Sequence, residues 1–261
     1  MSPPPYLDST PLAGLRVVVT RAEAQSAGLA RRLEEAGAEV ALLPLIEVVP
    51  PADPRPLARA ASELPLYDWA VLTSANGARA LLDAAEGSLP ARLAIAAVGT
   101  ATAAVLREAG HEPRLIAAQG NAEALLAELA PHVARRRVLL PQAADARPLL
   151  ARGLEAAGAD LTAVVAYDKR LPPEAPERAA ALFASGSLGW VTFTSGGLAR
   201  RFAALFGADW PARRGGLLAA SIGPVTAADL RALGVEPAAE AARPTDEALV
   251  EAIVAKVAST G

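Results

Sequence analysis

Cysteine is absent from the 261 residues, and the only histidines are His111 and His132. The first absence excludes disulfides, thiolate metal sites and a cysteine nucleophile. Neither histidine has a second suitable ligand nearby in the sequence, which argues against a histidine-rich metal site and against a histidine-based triad. Motifs of the GxGxxG, GxxxxGKS/T, HExxH and GxSxG types are also missing, so we expect no metal and no organic cofactor.

Strong charge, aromatic residues and long apolar runs are scarce as well. The net charge is only −3 and the 25 basic residues are spread along the chain, which argues against a nucleic-acid partner. No run approaches the roughly 18 apolar residues that a membrane span needs. The N-terminal SPPPYLDSTPLAG has no basic segment followed by an apolar one, so we expect no signal peptide. We therefore expect a cytoplasmic monomer that acts on a small molecule.

What the sequence does contain is an internal duplication. The segment RVVVTRAEAQSAGLARRLEEAGAEV from Arg16 matches RVLLPQAADARPLLARGLEAAGADL from Arg137, an offset of 121 residues without a gap. At the same offset WAVLTSANGARALL matches WVTFTSGGLARRFA. A third pair, GTATAAVLREAGHEP from Gly99 and GPVTAADLRALGVEP from Gly223, is offset by 124 residues. Three matches in the same order indicate two copies of one folding pattern.

Each copy predicts strands that alternate with helices. Short aliphatic runs such as RVVVT, WAVLTS and LAIAAVG predict buried strands. The segments after them carry apolar residues at helical spacing and end at a glycine, an ending that recurs at Gly37, Gly110, Gly158 and Gly234. This alternation predicts an α/β protein with parallel sheets covered by helices on both faces. Five strands per copy would give a flavodoxin-like three-layer (α/β/α) domain, built twice.

Two runs are too long for one ordinary strand of about five or six residues. They are EVALLPLIEVVPP from Glu39 and DLTAVVAYDKRLPP from Asp160. We interpret each as a strand that continues as a connector, which places the N-terminal segment with the C-terminal third of the chain. A simple tandem arrangement is the alternative. The predicted domains are residues 1–44 with 173–261 and residues 51–165, and the predicted linker strands are 45–50 and 166–172.

Candidate binding residues follow the predicted strands, because open parallel sheets bind ligands outside the carboxyl ends of their strands. Those positions are rich in Thr, Ser, Asn and Gly and poor in charge, which suits helix N-terminal amides that bind an anion. Each residue also has a plain structural interpretation as a helix cap or turn residue, and Arg21 as a solvated or paired side chain. The candidates are Thr20, Arg21, Thr73, Ser74, Asn76, Gly99, Thr102, Thr194, Ser195, Gly196, Gly223 and Thr226.

Tyr167 is the candidate catalytic residue. It lies in the second long run, and the duplication pairs it with Ile46 in the first. A position that keeps the repeat pattern but exchanges Ile for Tyr has lost its symmetry. A functional hydroxyl is one explanation, and an amphipathic ring that fills a domain junction is the other.

Taken together, these segments resemble the uroporphyrinogen-III synthases from about Leu12 to Val257. The landmarks are VVVTR, AVLTSANGARAL, AVGTATAAVLREAG, VVAYDKR, VTFTSGG and SIGPVTAADLRALG, and their order and spacing carry the resemblance. It implies two flavodoxin-like domains with exchanged N-terminal segments, a two-stranded linker, and an active site in the cleft between the domains. Gly196 and Gly197 depart from the proline-containing turn that is more usual at that point.

The resemblance also implies a reaction. Hydroxymethylbilane, a linear tetrapyrrole with multiple carboxylates, would lose its hydroxyl as water and close through a spiro intermediate with its terminal ring inverted. Such an enzyme is a lyase that needs no cofactor. By the same resemblance Tyr167 would assist departure of the hydroxyl, since a protonated phenol can act as a general acid. The matching cleft and strand-end positions are Thr102, Thr226, Thr73, Ser74, Thr194 and Ser195.

Two other classes of function are open at this point. A two-domain binding protein could close on a small anionic ligand without chemistry, although periplasmic binders normally carry a signal peptide. A transferase acting on a phosphorylated sugar is less favoured, because no acidic residues cluster where its metal would be needed.

Overall fold

A computed structural model describes residues 10–184, 189–207, 210 and 217–259. Within them, short strands alternate with helices, as the sequence predicts. The strands are β1 (Arg16–Val19), β2 (Glu39–Leu42), β3 (Glu47–Val49), β4 (Trp69–Leu72), β5 (Ala94–Ala97), β6 (Leu115–Ile116), β7 (Arg137–Ala143), β8 (Asp160–Arg170), β9 (Trp190–Phe193), β10 (Leu218–Ser221) and β11 (Ala239–Glu240).

The α-helices fill the segments between the strands. They are α1 (Glu23–Glu35), α2 (Arg55–Ser62), α3 (Ala75–Ala84), α4 (Thr100–Glu108), α5 (Ala122–Leu129), α6 (Leu149–Ala156), α7 (Ala175–Ala184), α8 (Gly196–Phe206), α9 (Pro224–Ala232) and α10 (Asp246–Ala258). In the described part of the chain, none of these helices is long and apolar enough to cross a membrane.

The chain forms two compact units. Unit 1 is Met1–Glu47 with Arg170–Gly261, and unit 2 is Val48–Lys169. Two sheets underlie them, one with the strand order β11-β10-β9-β1-β2 and one with the order β3-β8-β7-β4-β5-β6. The following strand pairs are parallel: β1 with β2 and β9, β10 with β9 and β11, β4 with β5 and β7, β5 with β6, and β7 with β8. The chain is therefore an α/β protein built on parallel sheets.

Each sheet combines strands from both sequence copies. In the first sheet β1 pairs with β9, with Val17 opposite Trp190. In the second sheet β7 pairs with β4, with Val138 opposite Trp69. Val138 and Trp190 are the repeat partners of Val17 and Trp69, so the same register occurs twice with the roles of the copies reversed.

Apolar side chains cover both faces of each sheet, as the near-continuous hydrophobic runs of buried parallel strands require. Along β1, Val17 and Val19 belong to one buried cluster while Val18 belongs to another. Along β4, the neighbouring residues Val71 and Leu72 likewise belong to two different buried clusters. This alternation follows from the two-residue period of a strand.

The predicted helix endings are confirmed. Gly37, Gly110, Gly158 and Gly234 each lie two residues beyond a helix, at φ angles of +92°, +83°, +84° and +78°. Glycine adopts this left-handed conformation without the steric cost that a Cβ atom brings.

The two long runs differ in structure. The first is broken into β2 and β3, because Pro44 between them has no N–H to donate to a sheet. The second is one strand of 11 residues, β8, with a shift of register against β7 between Gln142 and Ala143. The described part of the first copy therefore supplies six strands, whereas the second supplies the predicted five.

Candidate active site

Unit 2 has a topological switch point between β4 and β7. From β4 the chain continues to β5 and β6 on one side, and from β7 to β8 on the other. Ligands of open α/β sheets bind in the crevice at such a point, outside the carboxyl ends of the strands. A pocket of about 460 Å³ lies there, and its lining includes Thr73 after β4, Gln142 on β7 and Tyr167 on β8.

Tyr167 is buried, with 6% of its surface exposed, and lies opposite Ala143 at the end of β7. Its hydroxyl oxygen is 3.0 Å from the Ser74 hydroxyl oxygen. Ser74 is the N-cap of α3 and accepts a hydrogen bond from the Gly77 amide at 3.0 Å. The two candidate hydroxyls are therefore in direct contact at the switch point.

The contact between the two hydroxyls can run in either direction. A serine hydroxyl has one donor and two acceptor positions, and the Gly77 amide occupies one acceptor. The Ser74 hydroxyl can therefore accept a hydrogen bond from the Tyr167 phenol or donate one to it.

Gly77 lies close to this pair. A Cβ atom there would lie 3.3 Å from the Ser74 hydroxyl oxygen, 3.4 Å from the Pro141 carbonyl oxygen and 3.9 Å from the Tyr167 ring. The absence of a side chain leaves the Ser74 hydroxyl uncrowded at this point.

Tyr167 also borders a second, more apolar pocket of about 330 Å³. Asn76 and Arg79 on α3 line it, together with Val48, Val49 and Pro50. Asn76, a candidate from the sequence, therefore lines this second pocket together with Tyr167, whereas Thr73 lines the larger pocket.

Two cations line the larger pocket, and both have carboxylate partners. The Lys169 ammonium is 3.1 Å from Asp145 and 5.7 Å from the centre of the Tyr167 ring. The Arg147 guanidinium is 3.6 Å from Glu123. A ligand carboxylate would have to compete with these internal carboxylates for either cation.

Helix starts provide a second source of anion-binding groups. Side-chain oxygens cap four helices, at Ser74 (α3), Asn121 (α5), Ser195 (α8) and Thr245 (α10). Among the described helices, α4 and α9 begin after Gly99 and Gly223 and have no side-chain cap, as is also true of α1, α2 and α6. The amides of the first turn of α4, and those that follow Pro224 in α9, have no side-chain cap that competes with an anion, which the helix dipole also favours.

Neither of these two glycines is required by backbone conformation. Gly99 and Gly223 are extended, with φ angles of −178° and 163°. A Cβ atom on Gly223 would meet nothing within 4 Å, and one on Gly99 would lie 3.4 Å from the Cα of Gly120. The missing side chains leave space over the open amides.

Thr102 and Thr226 occupy the third positions of the same two helices, so the repeat places them equivalently. Both are buried, with 3% and 4% of their surface exposed. Little of either residue is accessible to solvent.

Unit 1 has its own switch point, between β1 and β9. The Arg21 guanidinium, which follows β1, donates to the Thr194 hydroxyl after β9 at 3.2 Å. It also forms an ion pair with Asp246 at 2.8 Å. Arg21 is thus a paired side chain, one of the two interpretations that the sequence permits.

Two other candidates in unit 1 have structural contacts that account for them. Thr20 is completely buried and its hydroxyl donates to the Thr192 carbonyl at 2.7 Å. A Cβ atom on Gly196 would lie 1.6 Å from an Asp229 carboxylate oxygen. Thr20 therefore links β1 to β9, and Gly196 permits the close packing of α8 against α9.

Three further residues belong to these sites but are not among the candidates from the sequence. Asn121 and Lys169 line the larger pocket, and Asp246 pairs with Arg21. Asn121 and Thr245 share an offset of 124 residues, so the repeat carried a signal for this pair of caps. Among the described residues, no group of three or more His, Asp or Glu could hold a metal ion.

The fold defines an α/β protein with parallel sheets, and its candidate ligand-binding groups are hydroxyls and helix amides at strand ends. Comparison with known sequences then identifies the family. Residues 27–251 match the family model described as "Uroporphyrinogen-III synthase HemD", so the chain belongs to the uroporphyrinogen-III synthase family.

Individual relatives agree with this assignment. The chain is 36% identical over 225 residues to the uroporphyrinogen-III synthase of Synechococcus elongatus, a match covering 83% of this chain and 85% of that one. A uroporphyrinogen III synthase structure from Thermus thermophilus has a TM-score of 0.62 at 22% identity, covering 94% of this chain and 100% of that one. One from Helicobacter pylori has a TM-score of 0.62 at 20% identity, covering 92% and 99%. The structures support the fold.

Proposed function

We propose that this chain is a uroporphyrinogen-III synthase, a lyase that cyclises hydroxymethylbilane with loss of water and inversion of the terminal pyrrole ring. Family membership supports the activity, since the chain is 36% identical to a protein of that name. The family also disfavours a binding protein without chemistry. The observation that carries the chemical part of the proposal is the 3.0 Å contact between the Tyr167 and Ser74 hydroxyls at a strand-end pocket.

Tyr167 acts in this proposal as the general acid that assists departure of the substrate hydroxyl. Packing holds the ring of Tyr167 in place, and Ser74 supplies the partner that stabilises the phenolate. The Tyr167 phenolate then takes a proton from the pyrrole that closes the macrocycle or from solvent, which restores the phenol.

Helix N-termini, rather than arginine or lysine side chains, bind most of the substrate carboxylates in this proposal. The absence of capping side chains at Gly99 and Gly223 supports this assignment. The existing carboxylate partners of Arg21, Lys169 and Arg147 also support it, because those cations are already neutralised. Neutral amides hold several carboxylates without fixing one of them in a strong ion pair.

Positioning supplies most of the catalysis. The linear substrate closes spontaneously to the unrearranged isomer, so the protein must impose a conformation that leads to ring inversion. A single acid therefore contributes less here than in an enzyme whose uncatalysed reaction is very slow.

The proposal includes an architecture of two flavodoxin-like three-layer domains with exchanged N-terminal segments. Their bounds are 1–44 with 173–261 and 51–165, and the linker strands are 45–50 and 166–172. Numbered within unit 1, its strands follow the order 2-1-3-4-5, which is the flavodoxin-like order. The adjacency of β3 and β8 supports the two-stranded linker. A cytoplasmic location and a monomeric state stay predictions.

The decisive experiment is incubation with freshly prepared hydroxymethylbilane, followed by oxidation and separation of the product isomers. We expect uroporphyrinogen III in excess over the spontaneous isomer, and unchanged activity after dialysis against a chelator. Heat-denatured protein is the control for spontaneous closure. Binding of the substrate with only the unrearranged isomer formed would favour the binding-protein alternative.

A further inference from the structure

The Arg21–Asp246 ion pair lies where the switch point of unit 1 would otherwise receive an anion. One guanidinium nitrogen, Nη1, is 2.8 Å and 2.9 Å from the two Asp246 carboxylate oxygens. The side chains are largely buried, with 18% and 25% exposed. Thr194 accepts from the Nε of Arg21 at 3.2 Å, which fixes the guanidinium plane.

The equivalent position in unit 2 has no such pair. At the repeat offset of 121 residues, Arg21 corresponds to Gln142 and Thr194 to Thr73. At the offset of 124 residues, Asp246 corresponds to Ala122. Gln142, Thr73 and Ala122 all line the pocket of about 460 Å³. Unit 2 therefore has uncharged residues at these three positions of an open pocket, and unit 1 has an arginine covered by an internal carboxylate.

We infer that Asp246 is a specificity-determining residue, an internal carboxylate that occupies Arg21 and prevents a ligand carboxylate from binding there. A fixed guanidinium forms charge-assisted hydrogen bonds to carboxylates that are stronger than bonds from neutral amides. Without Asp246, Arg21 would be the strongest carboxylate-binding group at this strand edge. The consequence for catalysis rests on the proposed function: a substrate that must refold during ring closure is not held rigidly at one carboxylate.

Inorganic phosphate is the probe for the freed arginine. Asp246→Asn removes the negative charge and keeps the shape, so we expect its affinity for phosphate to exceed that of the wild type by about tenfold, the size of one charge-assisted hydrogen bond. The measurement is the thermal midpoint against phosphate concentration, at ionic strength held constant with chloride.

The matched control is an ion pair at the amino ends of the strands of the same sheet, whereas Arg21 lies at their carboxyl ends. Arg16 at the start of β1 donates to Glu39 at the start of β2 at 2.8 Å. Glu39→Gln should give no gain in phosphate affinity, and Arg21→Gln combined with Asp246→Asn should lose the gain. A gain in Glu39→Gln as large as that in Asp246→Asn would overturn the inference, as would a folded Asp246→Asn protein without any gain.

A measurement on the wild type covers the case in which Asp246→Asn does not fold. The NMR signal of the Arg21 Nε–Hε group, identified by its loss in Arg21→Gln, should not move when phosphate is added. A phosphate-dependent shift in the wild type would show that Asp246 does not exclude anions.

Kinetics provide the catalytic arm. With hydroxymethylbilane, Asp246→Asn should lower KM about tenfold and lower kcat as well, because tighter ground-state binding does not help the chemical step. A purely structural role would lower kcat without lowering KM. If the wild type proves inactive, the proposed function fails while the phosphate result still decides the role of Asp246.

Discussion

Tyr167 belongs both to the core of unit 2 and to the lining of the pocket at the carboxyl ends of the strands. Packing fixes the ring, so the position of the phenol oxygen is determined by the sheet. Removing the oxygen alone separates the chemical role from the structural one.

Tyr167→Phe should lower the rate of formation of the rearranged isomer by about 100-fold, the lower end of the range for general acid catalysis. Water or a substrate carboxyl can replace the phenol in part. The measurement is the steady-state rate, corrected for spontaneous closure.

The control is Tyr67→Phe, which alters another buried tyrosine of unit 2. It should leave the rate unchanged. A near-normal rate in Tyr167→Phe would make Tyr167 a packing residue and leave positioning as the main source of catalysis.

Ser74→Ala tests the partner of the phenol. It should cost about 1 kcal/mol of stability through loss of the α3 cap, and lower the rate about two- to tenfold, the value of one neutral hydrogen bond. Thr245→Ala removes the cap of α10, which bonds the Ala248 amide at 3.2 Å. It should cost similar stability in urea unfolding without the loss of rate. Equal rates in the two variants would contradict a role for Ser74 beyond capping.

For single side chains, the sequence predicts which residues lie near the candidate site, but it does not predict the direction of their hydroxyl groups. The loss of repeat symmetry at Tyr167 is visible in the sequence, and the strand-end rule predicts the region of Thr20, Thr73 and Ser74. The direction of each hydroxyl is not visible in the sequence, because it depends on contacts with distant segments of the chain. Thr20 donates to a carbonyl 172 residues away, and Ser74 contacts a tyrosine 93 residues away.

The C-terminal ends of the helices that stop before a glycine follow the repeat: α1 and α6 end at equivalent positions, as do α4 and α9. The glycines that end α1, α4, α6 and α9 are predicted because local backbone sterics determine the left-handed conformation. The break between β2 and β3 is harder to predict, since a proline among apolar residues is compatible with either an edge strand or a connector.

Gly196→Ala tests the packing of α8 against α9. The new Cβ atom would lie 1.6 Å from an Asp229 oxygen and 2.7 Å from the Asp229 Cβ atom, so the helices must move apart. We expect a loss of about 1–3 kcal/mol, typical of overpacking, measured by urea unfolding. In Gly197→Ala the nearest atom would be the Ser195 hydroxyl at 3.7 Å, so that variant should be neutral or slightly more stable. Equal stability of the two variants would contradict the packing role of Gly196.

The chain as a whole shows why a duplicated sequence does not fold as two consecutive halves. In each sheet a central pair of strands joins the two copies. In one sheet β1 of the first copy pairs with β9 of the second, and in the other β4 of the first copy pairs with β7 of the second. The duplication is visible in the sequence, but the choice of partner depends on contacts between distant segments. Only the two long runs hint at it.

Fragments provide a direct test of this arrangement. The segment 48–169 contains the neighbours of its own strands and should unfold cooperatively in urea when it is produced alone. The segment 1–136, which is one sequence copy, should not, because β1 lacks β9 and β4 lacks β7. Far-UV circular dichroism reports both transitions. A cooperative transition in 1–136 together with none in 48–169 would contradict the proposed domains.

The pairing of β1 with β9 also determines when the first sheet can form while the nascent chain is being synthesised. Thr20 leaves the ribosome 172 residues before its partner Thr192. At about 5–20 residues per second, this interval lasts roughly 10–30 s. Unit 2 can be complete by then, since it is continuous and ends at Lys169. During this interval β1 has its valines exposed and lacks its central partner strand, so a strand made early in synthesis is open to aggregation until β9 is made.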